Sequence, residues 1–254
     1  MRARTAARCG KQQETCVIDL KRFRTALSLT AVIVLLAGAT PAAAQRIGRA
    51  GDFDYYALVL SWSPTYCADV GQGRNDPQCN SVRPYAFVLH GLWPQYARGY
   101  PESCPVGNSF VPRPIIDGML DIMPSPRLVI HEYRKHGTCS GLDPRGYFDT
   151  ARRLYDRIKI PSRYQSPDRQ LVTSPAEIVK DFLAANPEMK ADMLAVACGR
   201  PNRVREIRFC FSREGQLRSC GRNEEQDRLC RASSVVLPPV RGPRPFNPRF
   251  ERRI

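Results

Sequence analysis

Three histidines are all the chain contains, and they fall in two short segments: His90 in FVLHGLWPQY, and His131 and His136 in HEYRKHGTC. A lone histidine is most often structural or exposed. Two of them beside Glu132 and Lys135 make a cluster of side chains that can act together. If HEYRKHG is helical, a turn of about 100° per residue puts His131, Lys135, Glu132 and His136 at about 0°, 40°, 100° and 140° around the axis. One face then carries two imidazoles, a carboxylate and an ammonium. Tyr133 and Arg134 point elsewhere, and Gly137 supplies a C-terminal stop.

HEYRKH superficially matches the zinc-peptidase pattern H-E-x-x-H. That pattern needs histidines four apart, about 40° around the helix, whereas His131 and His136 are five apart, about 140°. Lys135 between them would repel a divalent cation, and no C-x-x-C occurs, so no metal or other cofactor is expected. A zinc hydrolase stays as the weaker alternative, which bound zinc would revive. Two imidazoles exchange protons near neutrality, one as base and one as acid, and a lysine stabilises charge building on a phosphoryl group. RNA brings its own nucleophile, the 2′-OH. Phosphodiester transfer within RNA therefore fits each part of the cluster.

These residues need a scaffold that folds. The chain has 254 residues, of which 43% are hydrophobic and 25% charged, enough for a packed core and unlike a disordered or collagen-like chain. Its net charge is +15. Residues 1–44 read as a secretory signal: Lys21, Arg22 and Arg24, the apolar run TALSLTAVIVLLAG, then Pro41 and Ala42-Ala43-Ala44 before Gln45. An uncleaved anchor is the alternative on length alone; the small residues favour cleavage and no stable membrane association afterwards. Removing that segment takes seven basic and two acidic residues and leaves a net charge of +10, which attracts polyanions in a salt-dependent way. It also leaves eight cysteines, Cys67, Cys79, Cys104, Cys139, Cys198, Cys210, Cys220 and Cys230. An even set in an exported chain predicts disulfides in a secreted or periplasmic protein, although spacing does not choose their pairing.

Residues 54–61 and 85–90 have the aromatic and β-branched content of strands, and VREIRFCF at 204–211 alternates with period two. Residues 146–158 have a helical pattern, with Asp149 or Thr150 able to cap. Ser174, Pro175 and Glu177 form the start of a second helix, ended by Asn186-Pro187. Strands and helices do not alternate regularly. The expected fold class is α+β, one domain over residues 45–236 with a mainly antiparallel central sheet and flanking helices. From Leu237 onward the chain is rich in proline and arginine and reads as a basic tail.

HGLWPQ (His90 to Gln95) and HEYRKHGTC (His131 to Cys139) resemble the two active-site segments of the ribonuclease T2 family. DYYALVLSWSPTYC (Asp54 to Cys67) and EIRFCF (Glu206 to Phe211) extend the similarity over residues 54–236. The resemblance implies a metal-independent endoribonuclease of low base specificity acting on single-stranded RNA through a 2′,3′-cyclic phosphate. It places the general acid on His90 and the base on His136, with these two roles open to exchange. Glu132 and Lys135 would stabilise the phosphorane, and His131 would help hold the phosphate. Trp93 and Tyr100 become candidates for stacking on bases, with core packing the competing role for Trp93. Tyr133 stands where the family commonly has Trp. The resemblance also implies the bridges Cys104–Cys139, Cys67–Cys79, and Cys210–Cys220 nested inside Cys198–Cys230. An RNA-binding module without turnover is the non-enzyme alternative.

Overall fold

The computed structural model of the chain describes residues 48–70 and 76–241; the proposed signal segment lies outside them. Strand β1 (Tyr55–Trp62) runs into helix α1 (Ser63–Val70), followed by the short α2 (Pro77–Asn80), β2 (Phe87–Gln95) and α3 (Arg113–Asp117). Helix α4 (Pro126–Lys135) leads through a 3₁₀ turn (Gly137–Ser140) into α5 (Pro144–Asp156). Then come β3 (Leu171–Thr173), α6 (Pro175–Ala185), β4 (Leu194–Gly199), β5 (Arg203–Phe211), α7 (Gln226–Leu229) and β6 (Val235–Leu237). The sheet order is β2-β1-β5-β6-β3, with β4 also paired to β5. Every pairing is antiparallel except β5 with β6. The expected α+β class with a mainly antiparallel sheet describes this architecture.

Strand β1 is buried along nearly its whole length, so it reads as a continuous apolar run rather than an alternating one. Ile207, Phe209 and Phe211 of β5 lie in the core, where Phe209 packs on Phe182 of α6 at 5.4 Å between ring centroids. Phe87 of β2 joins them, 4.8 Å from Trp62 and 6.1 Å from Phe182. The helix predicted by the capping pattern is α6: Ser174 Oγ accepts from the Glu177 N–H at 3.1 Å. The other predicted helix starts two residues earlier than expected, because Asp143 caps it by accepting from the Gly146 N–H at 2.8 Å.

The domain runs past the boundary drawn from composition. Leu237 is buried in β6, the Pro238 carbonyl accepts from Trp62 Nε1 at 3.0 Å, and Val240 N–H donates to Pro167 O at 2.8 Å. Pro238 follows the last residue of β6, where the ladder needs no further donor, so a Pro-rich stretch can still dock. The remainder of the tail, residues 242–254, lies outside the described residues.

Among the described residues, four disulfides join Cys67–Cys79, Cys104–Cys139, Cys198–Cys230 and Cys210–Cys220. The second closes a loop of 35 residues and ties the segment after β2 to the turn following α4. It is buried and reinforced by Ser103 N–H donating to the Lys135 carbonyl at 2.7 Å. Replacing Cys104 and Cys139 together by alanine should lower stability by about 2–5 kcal/mol in denaturant unfolding; a loss below about 1 kcal/mol would contradict a structural role for this bridge.

Candidate active site

Helix α4 forms where the spacing places it. Pro126 occupies its first turn, and Arg134 and Lys135 lie in its last turn, where cations suit the negative end of the helix dipole. Val129 and Tyr133 face the core; Tyr133 packs on Tyr147 and Phe148 of α5 and donates to the Leu142 carbonyl at 3.2 Å. Tyrosine therefore fills a packing position on the side of the helix away from the two histidines. Glu132 and His136 turn inward as well, at 1% and 5% exposure, while His131 and Lys135 stay at the rim. His136 itself is the C-cap, its N–H donating to the Glu132 carbonyl at 2.9 Å. Gly137 is not the left-handed stop expected of it. It continues into the 3₁₀ turn, and a side chain there would collide with the Tyr133 ring, so close packing explains the glycine.

His90 comes from β2, and the sheet register determines how. Val59 pairs with Gly91 and the next residue, Leu60, pairs with Leu89, so His90 is the extra residue of a β-bulge. Residues three apart on a regular strand face opposite sides. The bulge re-phases the strand and brings His90 and Trp93 together, with ring centroids 5.2 Å apart. Tyr147 holds this strand in place by donating to the Leu92 carbonyl at 2.9 Å.

The two segments meet at Glu132. Its Oε2 accepts from Trp93 Nε1 at 2.7 Å, and its Oε1 lies 3.5 Å from His90 Nε2. Gly91 makes this approach possible, because any Cβ there would collide with the Glu132 carboxylate. The Trp93 ring also stacks on His136, 4.9 Å between centroids and 23° between planes, and carries the Arg208 guanidinium 4.9 Å from its centroid. All of His90, His131, Glu132, Lys135, His136, Trp93 and Tyr100 line one cavity of about 460 Å³. A larger cavity of about 1120 Å³ adjoins it, sharing His90, His131, Arg205 and Glu206. Lys135 Nζ is 3.5 Å from Glu102 Oε2 at the rim. Tyr100, half exposed, follows a turn held by Asn223, whose side chain donates to the Gly99 carbonyl at 2.8 Å and accepts from the Gly99 N–H at 2.9 Å.

Two site residues come from β5 and were not singled out by sequence. Glu206 is buried, with Oε1 3.3 Å from His90 Nδ1 and Oε2 accepting from Arg208 Nη2 at 3.0 Å. The alternation of VREIRFCF was the available signal, since it puts 206 and 208 on the face opposite Ile207 and Phe209. Charges on a strand face ordinarily mean solvent, which hid them.

The environments of the two key imidazoles differ in sign. Burial works against a charge on His90, but Glu206 and Glu132 more than offset it and raise its proton affinity. For His136 burial comes first again, and Lys135, His90, His131 and Arg208 all add to it, pushing the imidazole down to about 2. His131 is lowered by burial and by Lys135 and His90. Burial raises the carboxyl of Glu132 despite His90, Trp93 and Lys135. Burial also opposes the charge on Glu206, yet His90 and Arg208 hold it down to about 2. Chemically, the site pairs an imidazole that holds its proton with one that is kept neutral. Among the described residues no group of three or more His, Cys, Asp or Glu is arranged to hold a metal ion.

Folding keeps His136 neutral, whereas the unfolded chain protonates it around its ordinary value of 6.5. Unfolding takes up a proton below that pH, so this group's contribution is present above about pH 6.5 and lost as pH falls. Between pH 7 and pH 5 the native protein should lose about 2 kcal/mol more stability than His136→Asn, read from urea unfolding; equal losses would contradict the buried neutral imidazole.

Comparison with known proteins agrees with this geometry. The sequence profile of the ribonuclease T2 family matches residues 53–220. A ribonuclease from Aeromonas hydrophila is 42% identical over 147 residues, covering 56% of this chain and 63% of the relative. Ribonuclease 1 of Arabidopsis thaliana is 32% identical over 156 residues, covering 56% and 65%. The alignments therefore span under two thirds of these relatives' lengths. Trichomaglin, described as an S-like ribonuclease, superposes with a TM-score of 0.61 at 24% identity, covering 75% of this chain and all of that one, which shows the shared fold. With both histidine-bearing segments lying inside the matched residues, the chain belongs to the ribonuclease T2 family.

Proposed function

We propose that the protein is an exported, metal-independent endoribonuclease that cleaves single-stranded RNA by transphosphorylation. The observation that carries this reading is the pair of imidazoles, both in contact with Trp93 and lining one cavity with Glu132 and Lys135, His90 between two carboxylates and His136 with none at its Nδ1 among the described residues. His136 is the neutral base and takes the 2′-OH proton as that oxygen attacks phosphorus. The incoming phosphate's negative charge raises the proton affinity of His136 for this step. His90 gives its proton to the 5′-oxygen as the P–O5′ bond breaks, leaving a 2′,3′-cyclic phosphate. The same pair in exchanged roles adds water across the ring and yields a 3′-phosphate. Lys135 balances the charge on the phosphorane, with Glu132 beside it. His131, at the rim, helps hold the phosphate.

The nucleophile belongs to the substrate and the charges to protein side chains, so the reaction needs no metal. The meeting of two cavities at His90 and His131 supports a strand crossing the site with one nucleoside on each side of the scissile phosphate. Tyr100 is exposed and free to stack on a base, and stacking is tolerant of base identity, which supports low base specificity. Trp93 is already engaged by Glu132, His136 and Arg208, which favours an organising role over base stacking. Export to a secreted or periplasmic location is supported by the signal-like residues 1–44 and by the pairing of all eight cysteines of residues 48–241 in disulfides.

His90→Ala and His136→Ala should each reduce kcat/KM on a dinucleoside monophosphate about 10² to 10⁴-fold with the fold intact by circular dichroism. Near-native rates in either variant would overturn the assignment. A single 2′-deoxy substitution at the cleavage site should abolish turnover, and residual cleavage there would contradict attack by the 2′-OH.

A further inference from the structure

Glu206 is a buried acid that the reaction steps above do not use. It lies on β5, at 4% exposure, beneath the imidazole that donates the proton. Buried carboxylates are tolerated only where their charge is answered. Here the answer comes from three sides: His90 Nδ1 at 3.3 Å, Arg208 Nη2 at 3.0 Å and Arg205 Nη2 at 3.7 Å. Arg208 is itself shared. Its Nη1 lies 3.5 Å from Glu224 Oε1, while Glu224 accepts a hydrogen bond from Tyr55 and the guanidinium sits over Trp93. The chain of charges Glu206, Arg208, Glu224 is anchored in the sheet at one end and meets His90 at the other.

We propose that Glu206 is a positioning residue for His90: its carboxylate holds the Nδ1 proton, fixes the ring on the bulge of β2, and leaves Nε2–H as the proton delivered to the leaving oxygen. The inference rests on the proposed role of His90 as general acid. Nδ1 is buried and has no partner that meets full hydrogen-bond geometry among the described residues, and Glu206 Oε1 is the charged oxygen at ion-pair distance from it. Nε2 faces the cavity side, where Glu132 Oε1 stands 3.5 Å away. Glu132 is thus shared with Trp93 and the phosphate site, whereas Glu206 is committed to Nδ1.

The groups bearing on His90 are few. Helix α4 presents Glu132, His131, Lys135 and His136, with Arg127 in the adjoining cavity; β5 presents Arg205, Glu206 and Arg208; Arg228 of α7 lines the nearer cavity; Asp69 of α1 and Asp76, which caps α2, line the adjoining one. Removing the charge of Glu206 leaves burial and Arg208, both unfavourable to a proton on His90, opposed by Glu132. A protonated acid is then lost at lower pH, and the alkaline limb of activity moves down.

The test is the pH profile of kcat/KM for a dinucleoside monophosphate with the native protein, Glu206→Gln and Glu206→Asp, alongside ¹⁵N-histidine NMR of the native protein. Glu206→Gln should shift the alkaline limb down by about one pH unit and lower kcat with KM little changed, and Glu206→Asp should restore part of the shift. In the NMR titration His90 should hold its Nδ1 proton and titrate above the ordinary imidazole range. A folded Glu206→Gln with an unmoved alkaline limb would overturn the proposal. If that variant does not fold, the native titration decides alone: His90 titrating at or below 6.5 rejects the pairing. A high-titrating, Nδ1-protonated His90 in a protein that turns over no RNA would instead uphold the pairing and reject the ribonuclease reading.

Discussion

A single buried carboxylate joins the two halves of the site. Glu132 projects from α4 into β2 where Gly91 leaves room, takes the indole N–H of Trp93 and stands against His90. Burying a carboxylate is costly unless its oxygens are satisfied, so this contact is formed only when helix and strand are docked in one register. Everything that fixes that register serves it: the Tyr147 hydroxyl on the Leu92 carbonyl, the Cys104–Cys139 bridge, and Tyr133 packed where the helix meets α5. Loss of the docking would leave a carboxylate without partners and two imidazoles without a common neighbour.

The asymmetry between the imidazoles follows from where each sits. His90 stands on a strand between two carboxylates, one from a helix and one from the adjoining part of the sheet. His136 caps a helix and is packed against the face of Trp93, with Lys135 next in the chain and no carboxylate answering its Nδ1 among the described residues. Helix C-termini usually favour a cationic imidazole. Burial and nearby cations outweigh that effect here, and the result is a neutral ring. The two imidazoles are thus distinguished by environment alone, which is what the proposed acid and base roles require of one side-chain type.

Much of this was readable before any coordinates. The angular spacing of HEYRKHG placed His131, Glu132, Lys135 and His136 on one face, and Ser174-Pro175-x-Glu177 gave a helix start, because both are local properties of a helix. What stayed hidden is non-local. The bulge that turns His90 toward Trp93 exists only as a mismatch between β1 and β2, and neither strand encodes it alone. Glu206 and Arg208 are charges on an alternating strand, and the partners that make them part of the site, His90, Trp93 and Glu224, come from distant parts of the chain. Gly137 shows the opposite error: its type announced a left-handed turn, whereas packing against Tyr133 is what demands it. Leu237 and Val240, assigned by composition to a tail, are held by pairing with distant residues that composition cannot register.

Proton transfer around a phosphate attacked by its own sugar leaves a chemical signature. The most direct measurement is ³¹P NMR of a dinucleoside monophosphate digested by the native protein in excess chelator. The expected record is a 2′,3′-cyclic phosphate that accumulates first and then decays to a 3′-phosphate. Release of a 5′-phosphate with a free 3′-hydroxyl, or turnover that stops when chelator is added, would contradict the assignment of His90 and His136 as acid and base.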